Sequence, residues 1–265
     1  MIKNLACSYQ SALIVNFQYQ TTSFTINSII QSIKYLLSVS FHKLFKQGSP
    51  INMRKEQNLL VLIGSPRRSG NSATLGAAVQ RGAEQCGTQV KLRFIDDYIS
   101  SFLRDCRTCR LADGECAIDD RFYSLFFDDF LPAQGVIFCS PVYWYGLSAQ
   151  TKAFFDRTFC YYAASHPESA RVIERMSGKR IGLVLASEET YPGASLGIVH
   201  QIQEYSRYTH SEFVGIVRGV GNSRQEVTRD PMEPIFAAEQ LGREIFERKY
   251  SDFHLDTNRS GKVWS

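Results

Sequence analysis

The sequence predicts an α/β fold in which a five-stranded parallel sheet is covered by helices on both faces. Among its 265 residues, 44% are hydrophobic and 21% are charged, as is usual for a globular protein. From Asn58 onward, short apolar runs of strand length alternate with longer segments rich in helix formers, and this alternation is typical of parallel sheets with helical crossovers. No uninterrupted apolar run reaches the roughly 18 residues of a membrane-spanning helix, so no transmembrane segment is predicted.

The predicted elements are bounded by residues that end strands and helices. The apolar run 59–63 ends at Gly64, and the helix-forming segment 72–86 is followed by Gly87, a favourable C-cap. Pro141 is expected to break the third strand. The predicted strands are residues 59–63, 90–95, 135–140, 180–186 and 212–220. The predicted helices are residues 72–86, 119–131, 148–159, 195–208 and 234–249, with Ser148 as an N-cap.

Residues 1–52 are predicted to form an N-terminal extension outside the core, either disordered or an amphipathic helix. The net charge of +4 comes from four lysines in this segment, which has no Arg, Asp or Glu. Three interpretations are open: an extension that precedes an alternative start at Met53, an organelle-targeting or membrane-surface segment, and an ordered subdomain. Residues 53–265 are predicted to form one domain.

The charge and cysteine content exclude several classes of protein. Residues 53–265 carry 26 basic and 26 acidic side chains, so the domain lacks the basic excess with which proteins bind nucleic acid. The odd number of cysteines, seven, cannot all pair within one chain. A disulfide framework is therefore not predicted, and a reducing, cytoplasmic compartment is expected unless residues 1–52 direct the protein to an organelle.

Two loops that follow predicted strands carry the functional signal, because ligands of open parallel sheets bind beyond the carboxyl ends of the strands. The loop Gly64–Ser72 (GSPRRSGNS) combines glycines, small hydroxyls and two guanidinium groups before a helix, which suits a phosphate group; Arg67 or Arg68 could add a charge-assisted bond. It matches neither the Walker A nor the Gly-x-Gly-x-x-Gly pattern. The alternative is a polar turn without a ligand.

The loop Ser140–Ser148 (SPVYWYGLS) contains three consecutive aromatic residues, which cannot all be buried beside a sharp turn. Exposed aromatic residues at the ligand edge of a sheet indicate a flat partner, although packing against a neighbour or a second subunit is the alternative. A phosphate loop and an aromatic loop on neighbouring strands together predict a ligand with an anionic tail and a flat ring system. Flavin mononucleotide (FMN) fits both requirements.

These two loops and the run Ser148–Arg157 (SAQTKAFFDR) resemble the NADPH-dependent FMN reductases, which include flavodoxin-like quinone reductases and iron–sulfur flavoproteins. The resemblance covers most of residues 58–220. It implies a flavodoxin-like fold with strand order 2-1-3-4-5, non-covalent FMN, and a homodimer or homotetramer. It also implies that the loop 187–191 closes the flavin site, where two adjacent acids, Glu188 and Glu189, are unexpected beside an electron-rich reduced ring.

The resemblance further implies the residues that bind the cofactor. The FMN phosphate would be held by Ser65, Arg67, Ser69, Asn71 and Ser72. The isoalloxazine ring would be lined by Pro141, Val142, Tyr143, Trp144 and Gly146. No side chain is predicted to be catalytic, because the flavin performs the chemistry.

Cys106, Cys109 and Cys116 form a C-x2-C-x6-C array. The related array of the iron–sulfur flavoproteins has a fourth cysteine that is absent here, and a [4Fe–4S] cluster normally takes four thiolates. No histidine is close in sequence, which disfavours zinc. These cysteines are therefore only weak candidates for a cluster and no metal is predicted. The alternatives are a structural loop or a reversible thiol pair favoured by neighbouring arginines.

The predicted function is an FMN-dependent NAD(P)H oxidoreductase that passes electrons to a quinone, free flavin or similar small acceptor. One alternative is a flavodoxin-type electron carrier, which the balanced charges of residues 53–265 disfavour. Two others are an iron–sulfur flavoprotein with an incomplete cysteine array and a scaffold that has lost FMN.

Overall fold

The computed structural model describes residues 57–105 and 110–248, which form a parallel sheet with helices on both faces. Its parallel strands are β1 (Asn58–Ile63), β2 (Gln89–Phe94), β3 (Gly135–Tyr143), β5 (Arg180–Ser187) and β6 (Glu212–Val220). They lie in the order β2-β1-β3-β5-β6, and the short strand β4 (Gly146–Leu147) pairs antiparallel with β3. Without β4, this is the predicted order 2-1-3-4-5, so the predicted flavodoxin-like arrangement is confirmed.

The helices follow the strands as the sequence predicts, with one addition. The α-helices are α1 (Asn71–Glu84), α2 (Phe122–Ser124), α3 (Ala149–Tyr162), α4 (Ser169–Met176), α5 (Leu196–Tyr208) and α6 (Pro234–Glu244). Short 3-10 turns lie at Ile95–Asp97, Pro192–Ser195 and Glu226–Arg229. Helix α4 was not predicted, because its buried side comprises only Val172 and Met176. None of the described helices has the length and apolar character needed to cross a bilayer.

Strand β1 lies at the centre of two apolar cores because its side chains alternate between the faces of the sheet. Leu60 and Leu62 belong to the core that contains residues of α3 and α5. Leu59, Val61 and Ile63 belong to the opposite core, together with residues of α1 and α6. These five side chains are at most 1% exposed, as expected for a strand covered on both faces.

Helices α1 and α6 approach each other closely through two glycines. A Cβ atom on Gly82 would lie 1.9 Å from the carbonyl oxygen of Glu239, and one on Gly242 would lie 2.1 Å from the carbonyl oxygen of Val79. Both distances are far below van der Waals contact, so any side chain at either position would separate the helices. This contact closes the α1 face of the sheet.

The prediction that residues 119–131 form one helix is wrong in its bounds and in the type of helix. The α-helix covers only Phe122–Ser124, and Leu125–Phe130 continues as a π-helix. Beyond its end, buried Lys179 donates from Nζ to the carbonyl oxygens of Phe130 and Leu131, both at 3.1 Å, and to that of Ala133. Burial lowers the pKa of Lys179 to about 7, and the charge of Arg175 acts in the same direction.

The prediction that Pro141 breaks the third strand is also wrong, because β3 continues to Tyr143. The carbonyl of Cys139 accepts a hydrogen bond from Gly64 N at 2.7 Å, so the backbone of Cys139 faces β1. Pro141, two residues later, faces the same side, but β1 has already ended at Ile63. The proline nitrogen therefore faces no strand that needs a donor.

A buried ion pair attaches the loop between β2 and α2 to helix α3. Arg157 donates to both carboxylate oxygens of Asp120, and the two side chains are 1% and 5% exposed. Ser100 N and Phe122 N donate to the same carboxylate at 2.9 and 3.1 Å. Burial acts to raise the pKa of Asp120, but these hydrogen bonds outweigh burial and lower it below the ordinary value.

We expect Asp120→Asn to lower the free energy of unfolding by about 3–5 kcal/mol, because it leaves the Arg157 guanidinium buried without a counter-charge. The matched control is Asp156→Asn, which removes an exposed i,i+4 pair with Lys152 and should cost less than about 1 kcal/mol. Denaturant unfolding at neutral pH measures both values.

The stabilisation by Asp120 requires the ionised carboxylate, whose pKa is lowered in the folded state. It is therefore present above about pH 4, the ordinary Asp range, and is lost as the pH falls through the folded pKa. The difference between wild type and Asp120→Asn should narrow below about pH 4. Equal stabilities of the two proteins at pH 7 would contradict the assignment.

Candidate functional site

A cavity of about 680 Å³ lies at the carboxyl edge of the sheet. Loops that follow β1, β3, β5 and β6 surround it. Its lining comprises Ser65, Arg67, Gly70, Asn71, Ser72, Pro141, Val142, Tyr143, Trp144, Tyr145, Ala186, Ser187, Glu188, Glu189, Gly221, Asn222, Ser223 and Arg224. This volume is in the usual range for cofactor pockets.

The structure brings eight of the ten predicted binding residues together around this cavity. They are Ser65, Arg67, Asn71, Ser72, Pro141, Val142, Tyr143 and Trp144. Ser69 is exposed and does not line the cavity, and Gly146 lies in β4, where it pairs with Tyr143. Two of the positions carried over from the resemblance therefore lie outside the cavity.

A hydroxyl at the start of α3 joins the loop after β1 to the loop after β3. Ser148 Oγ donates to the Gly64 carbonyl at 2.6 Å, and Ser148 N donates to Ser140 Oγ at 3.1 Å. Ser148 also accepts from Thr151 N at 3.3 Å, which confirms the predicted N-cap. A Cβ on Gly64 would lie 1.8 Å from Thr151 Oγ1, so only glycine allows this approach.

The start of helix α1 offers hydrogen-bond donors to the cavity. Its N-cap residue is Gly70, and no side chain caps the helix, so the N–H groups of the first turn are left for another acceptor. Ser65 and Ser72 line the cavity beside it and are 5% and 3% exposed. The arrangement offers backbone and hydroxyl donors together with the positive end of the helix dipole.

The two adjacent arginines of this loop have different roles. Arg67 lines the cavity. Arg68 pairs with Asp97 and stacks on Phe94, its Cζ lying 4.0 Å from the ring centroid. The hydrogen bond from Arg68 to Asp97 lowers the pKa of that carboxyl. Of the two, Arg67 is therefore the candidate for binding an anion in the cavity.

Asn71 supports the cavity rather than offering its amide to a ligand. Its Nδ2 donates to the carbonyl oxygens of Gly221 at 2.8 Å and Ser223 at 3.0 Å. Both amide hydrogens are thus used, and Oδ1 accepts from Val227 N at 3.4 Å. Since its carbonyl oxygen also bonds within the protein, Asn71 is a brace that holds the loop after β6 against the start of α1.

The loop after β6, residues 221–224, was not predicted to be part of the site. It contributes Asn222, Ser223 and Arg224, so that a second guanidinium lines the cavity. The available signal was the rule that ligands bind beyond the carboxyl ends of strands, which applies to β6 as well as to β1 and β3. Its contact with Asn71 spans 150 residues of sequence and leaves no local pattern.

The aromatic bend, residues 143–145, lines the same cavity. Trp144 and Tyr145 are the two central residues of the β3–β4 hairpin and have φ angles of 49° and 59°. Positive φ at both positions is the geometry of a type I′ turn, which normally contains Asn or Gly. Trp144 is 97% exposed. Strained backbone and an exposed indole together indicate a binding role.

The loop after β5 lies beside this bend. Register pairs Pro141 of β3 with Ala186 of β5, so the residues that follow each of them are neighbours. Glu188 and Glu189 line the cavity, which agrees with the expected position of the loop 187–191. A hydrogen bond with Tyr145 raises the pKa of Tyr191, and the nearby charge of Glu189 also contributes.

The cysteine array is only partly described. Cys106 and Cys109 lie outside the described residues, as does the predicted extension at 1–52. Cys116 Sγ accepts from Arg157 Nη2 at 3.8 Å. The fold brings His166 to this region, with Nε2 3.6 Å from Glu115 Oε1, a proximity that the sequence spacing concealed. Within residues 57–105 and 110–248, no group of three or more potential ligands could hold a metal ion.

Comparison with known proteins identifies the family. A family model described as a flavodoxin-like fold (Flavodoxin_2) matches residues 57–228. An iron–sulfur flavoprotein of Archaeoglobus fulgidus is 33% identical over 102 residues, which are 38% of this chain and 44% of that protein. The chain spans about half the length of such relatives.

Two further similarities cover more of the partner protein. YwqN, a candidate NAD(P)H-dependent FMN-containing oxidoreductase of Bacillus subtilis, is 23% identical over 172 residues, covering 65% of this chain and 90% of YwqN. The solved structure of the Trp repressor binding protein from Bacillus subtilis superposes with a TM-score of 0.53 at 20% identity, covering 72% of this chain and 99% of that one. At this identity the structural similarity supports the fold.

We expect Trp144→Gly to be about 1 kcal/mol more stable than Trp144→Ala, because only glycine accepts positive φ without steric cost. Both variants remove the exposed ring, so their comparison isolates the backbone strain. Thermal or denaturant unfolding measures the difference. If Trp144→Ala were equally stable, the turn would not be strained.

Proposed function

Because the chain belongs to the flavodoxin-like fold family, we propose that it is an FMN-dependent NAD(P)H oxidoreductase that reduces a quinone, free flavin or similar small acceptor. The observation that carries this proposal is that an uncapped helix N-terminus and an exposed aromatic bend line the same cavity. The two features are the ones that a cofactor with a phosphate tail and a flat ring requires. The names of relatives such as YwqN agree with it.

The residues at the start of α1 fit the FMN phosphate. Ser65 and Ser72 provide hydroxyl donors, Arg67 provides a positive charge, and the first turn of α1 provides N–H groups. Arg224 enters from the loop after β6. A dianionic phosphate would satisfy this set of donors.

The residues at the other end fit the isoalloxazine ring. Pro141, Val142 and Tyr143 line the cavity along β3, and Trp144 extends from the bend. Aromatic and aliphatic surfaces of this kind stack on flat rings. Because Trp144 is 97% exposed, it is free to pack on a bound ring or on a nicotinamide.

When bound, the flavin would supply the chemistry by accepting a hydride equivalent from NAD(P)H and delivering electrons to the acceptor. The protein's own residues would hold the phosphate and orient the ring. Positioning of this kind accounts for catalysis without an acid or base from the protein.

The proposal includes the assembly and the compartment. Exposed apolar side chains around the aromatic bend, among them Tyr143 and Tyr191, support a homodimer or homotetramer. Among the described residues, Cys86, Cys116 and Cys139 are free thiols, which suits the reducing cytoplasm.

The experiment that tests this function is an absorption spectrum of protein purified without added cofactor, followed by an assay of NADPH oxidation with a quinone. We expect a flavin spectrum without cluster absorption, and sustained turnover with the quinone. A spectrum with additional cluster bands would favour an iron–sulfur flavoprotein. Flavin without NAD(P)H oxidation would favour an electron carrier, and protein that stays colourless after FMN addition would contradict both.

We further expect Ser65→Ala with Ser72→Ala to raise the dissociation constant of FMN at least ~10-fold, since hydrogen bonds to charged groups contribute about 1.5–3 kcal/mol each. The matched control is Ser69→Ala, because Ser69 belongs to the same loop but does not line the cavity. Quenching of FMN fluorescence during titration measures both constants. Equal affinities for the two variants would contradict the phosphate assignment.

A further inference from the structure

The charged side chains that line the cavity come from three loops. Arg67 follows β1, and Arg224 belongs to the loop that Asn71 holds against the start of α1. Glu188 and Glu189 follow β5, beside the aromatic bend. The carboxylates therefore belong to a loop that lies where the proposed function places the ring.

Several acids of the domain are neutralised by a basic side chain, and Glu188 and Glu189 are not among them. Asp97 pairs with Arg68, Asp120 with Arg157, and Asp129 with Lys91 and Arg93. Within residues 57–105 and 110–248, no ion pair joins Glu188 or Glu189 to a basic side chain. Their negative charge therefore acts on whatever occupies the cavity beside them.

The backbone that carries these acids is held in place. Gly221 N donates to the Ser187 carbonyl at 2.9 Å, and Ser187 Oγ donates to the Glu189 carbonyl at 3.0 Å. Arg218 donates to the Tyr191 carbonyl at 3.0 Å. These bonds fix the backbone of the loop beside the cavity, where Glu188 is exposed and Glu189 is half-buried.

From this arrangement we propose that Glu188 and Glu189 disfavour negative charge on the reduced flavin ring, so that reduction of bound FMN takes up two protons with two electrons at neutral pH. The inference rests on the proposed function, because it requires FMN in the cavity. In balanced form, NAD(P)H, FMN and one proton give NAD(P)⁺ and the doubly protonated reduced cofactor. The hydride supplies one of the two hydrogens and solvent supplies the other as a proton.

The physical basis is repulsion between like charges in a partly enclosed site. A nearby negative charge disfavours ionisation of an acidic group, and the effect is stronger where water is partly excluded. The other titratable or charged side chains that line the cavity are Arg67, Arg224, Tyr143 and Tyr145. Arg67 precedes α1, where the proposed function places the phosphate dianion that would counter it. Within the part of the chain that the structure describes, neither arginine forms an ion pair with Glu188 or Glu189. The carboxylates are the charged groups of the loop beside the aromatic bend.

The test measures the midpoint potential of the FMN-loaded protein at a series of pH values, since the slope of potential against pH gives the number of protons per two electrons. For the wild type we expect two protons per two electrons throughout the neutral range. At higher pH, where the reduced ring ionises, the slope falls from two protons to one proton per two electrons. In Glu188→Gln with Glu189→Gln, we expect this fall at a pH about one unit lower than in the wild type, which is a tenfold change in the ionisation constant of the reduced ring. Added salt should reduce this difference.

The matched control is Glu84→Gln with Glu174→Gln, which removes the same two charges from the exposed helix positions Glu84 and Glu174 outside the cavity. It should reproduce the wild-type profile. Stoichiometric FMN binding is measured first by absorbance. Protein that binds no FMN would overturn the proposed function and this inference together. Stoichiometric binding with identical profiles in the three proteins would overturn the inference alone.

Discussion

The hydrogen bond from Ser148 Oγ to the Gly64 carbonyl is the contact on which the site depends. It joins the start of α3 to the end of β1 at 2.6 Å, and the backbone N–H of the same serine donates to Ser140 Oγ. Ser148 therefore connects the loops after β1 and β3 directly.

A second constraint comes from the way polar groups are used near the cavity. The amide of Asn71 donates to carbonyl oxygens of the loop after β6, and Arg68 forms an ion pair with Asp97. These residues hold the walls in position, while Arg67, Ser65 and Ser72 remain at the surface of the cavity. The acids divide in the same way. Asp120 pairs with Arg157 and stabilises the fold, whereas Glu188 and Glu189 line the cavity. Structure and binding are thus assigned to different side chains of the same type.

Predictions from the sequence succeeded where the signal was local. The strands and most helices were recognisable because apolar runs and glycine boundaries report burial directly, and Ser148 was recognisable as an N-cap from its position before a helical segment. They failed where the backbone form depended on packing. The π-helix at Leu125–Phe130 has the composition of an α-helix. Pro141 continues β3 because β1, the strand that its nitrogen faces, has already ended at Ile63.

The order of strands and helices, and the polar and aromatic character of the loops after β1 and β3, were thus determined by the sequence alone, because they follow from periodicity and residue type. The tertiary structure decided which of these side chains face the cavity. It placed Ser69 and Gly146 outside, turned Arg68 toward Asp97, and added residues 221–224 through a contact across 150 positions. The physical reason is that the direction of a side chain depends on partners distant in sequence, which no local pattern encodes.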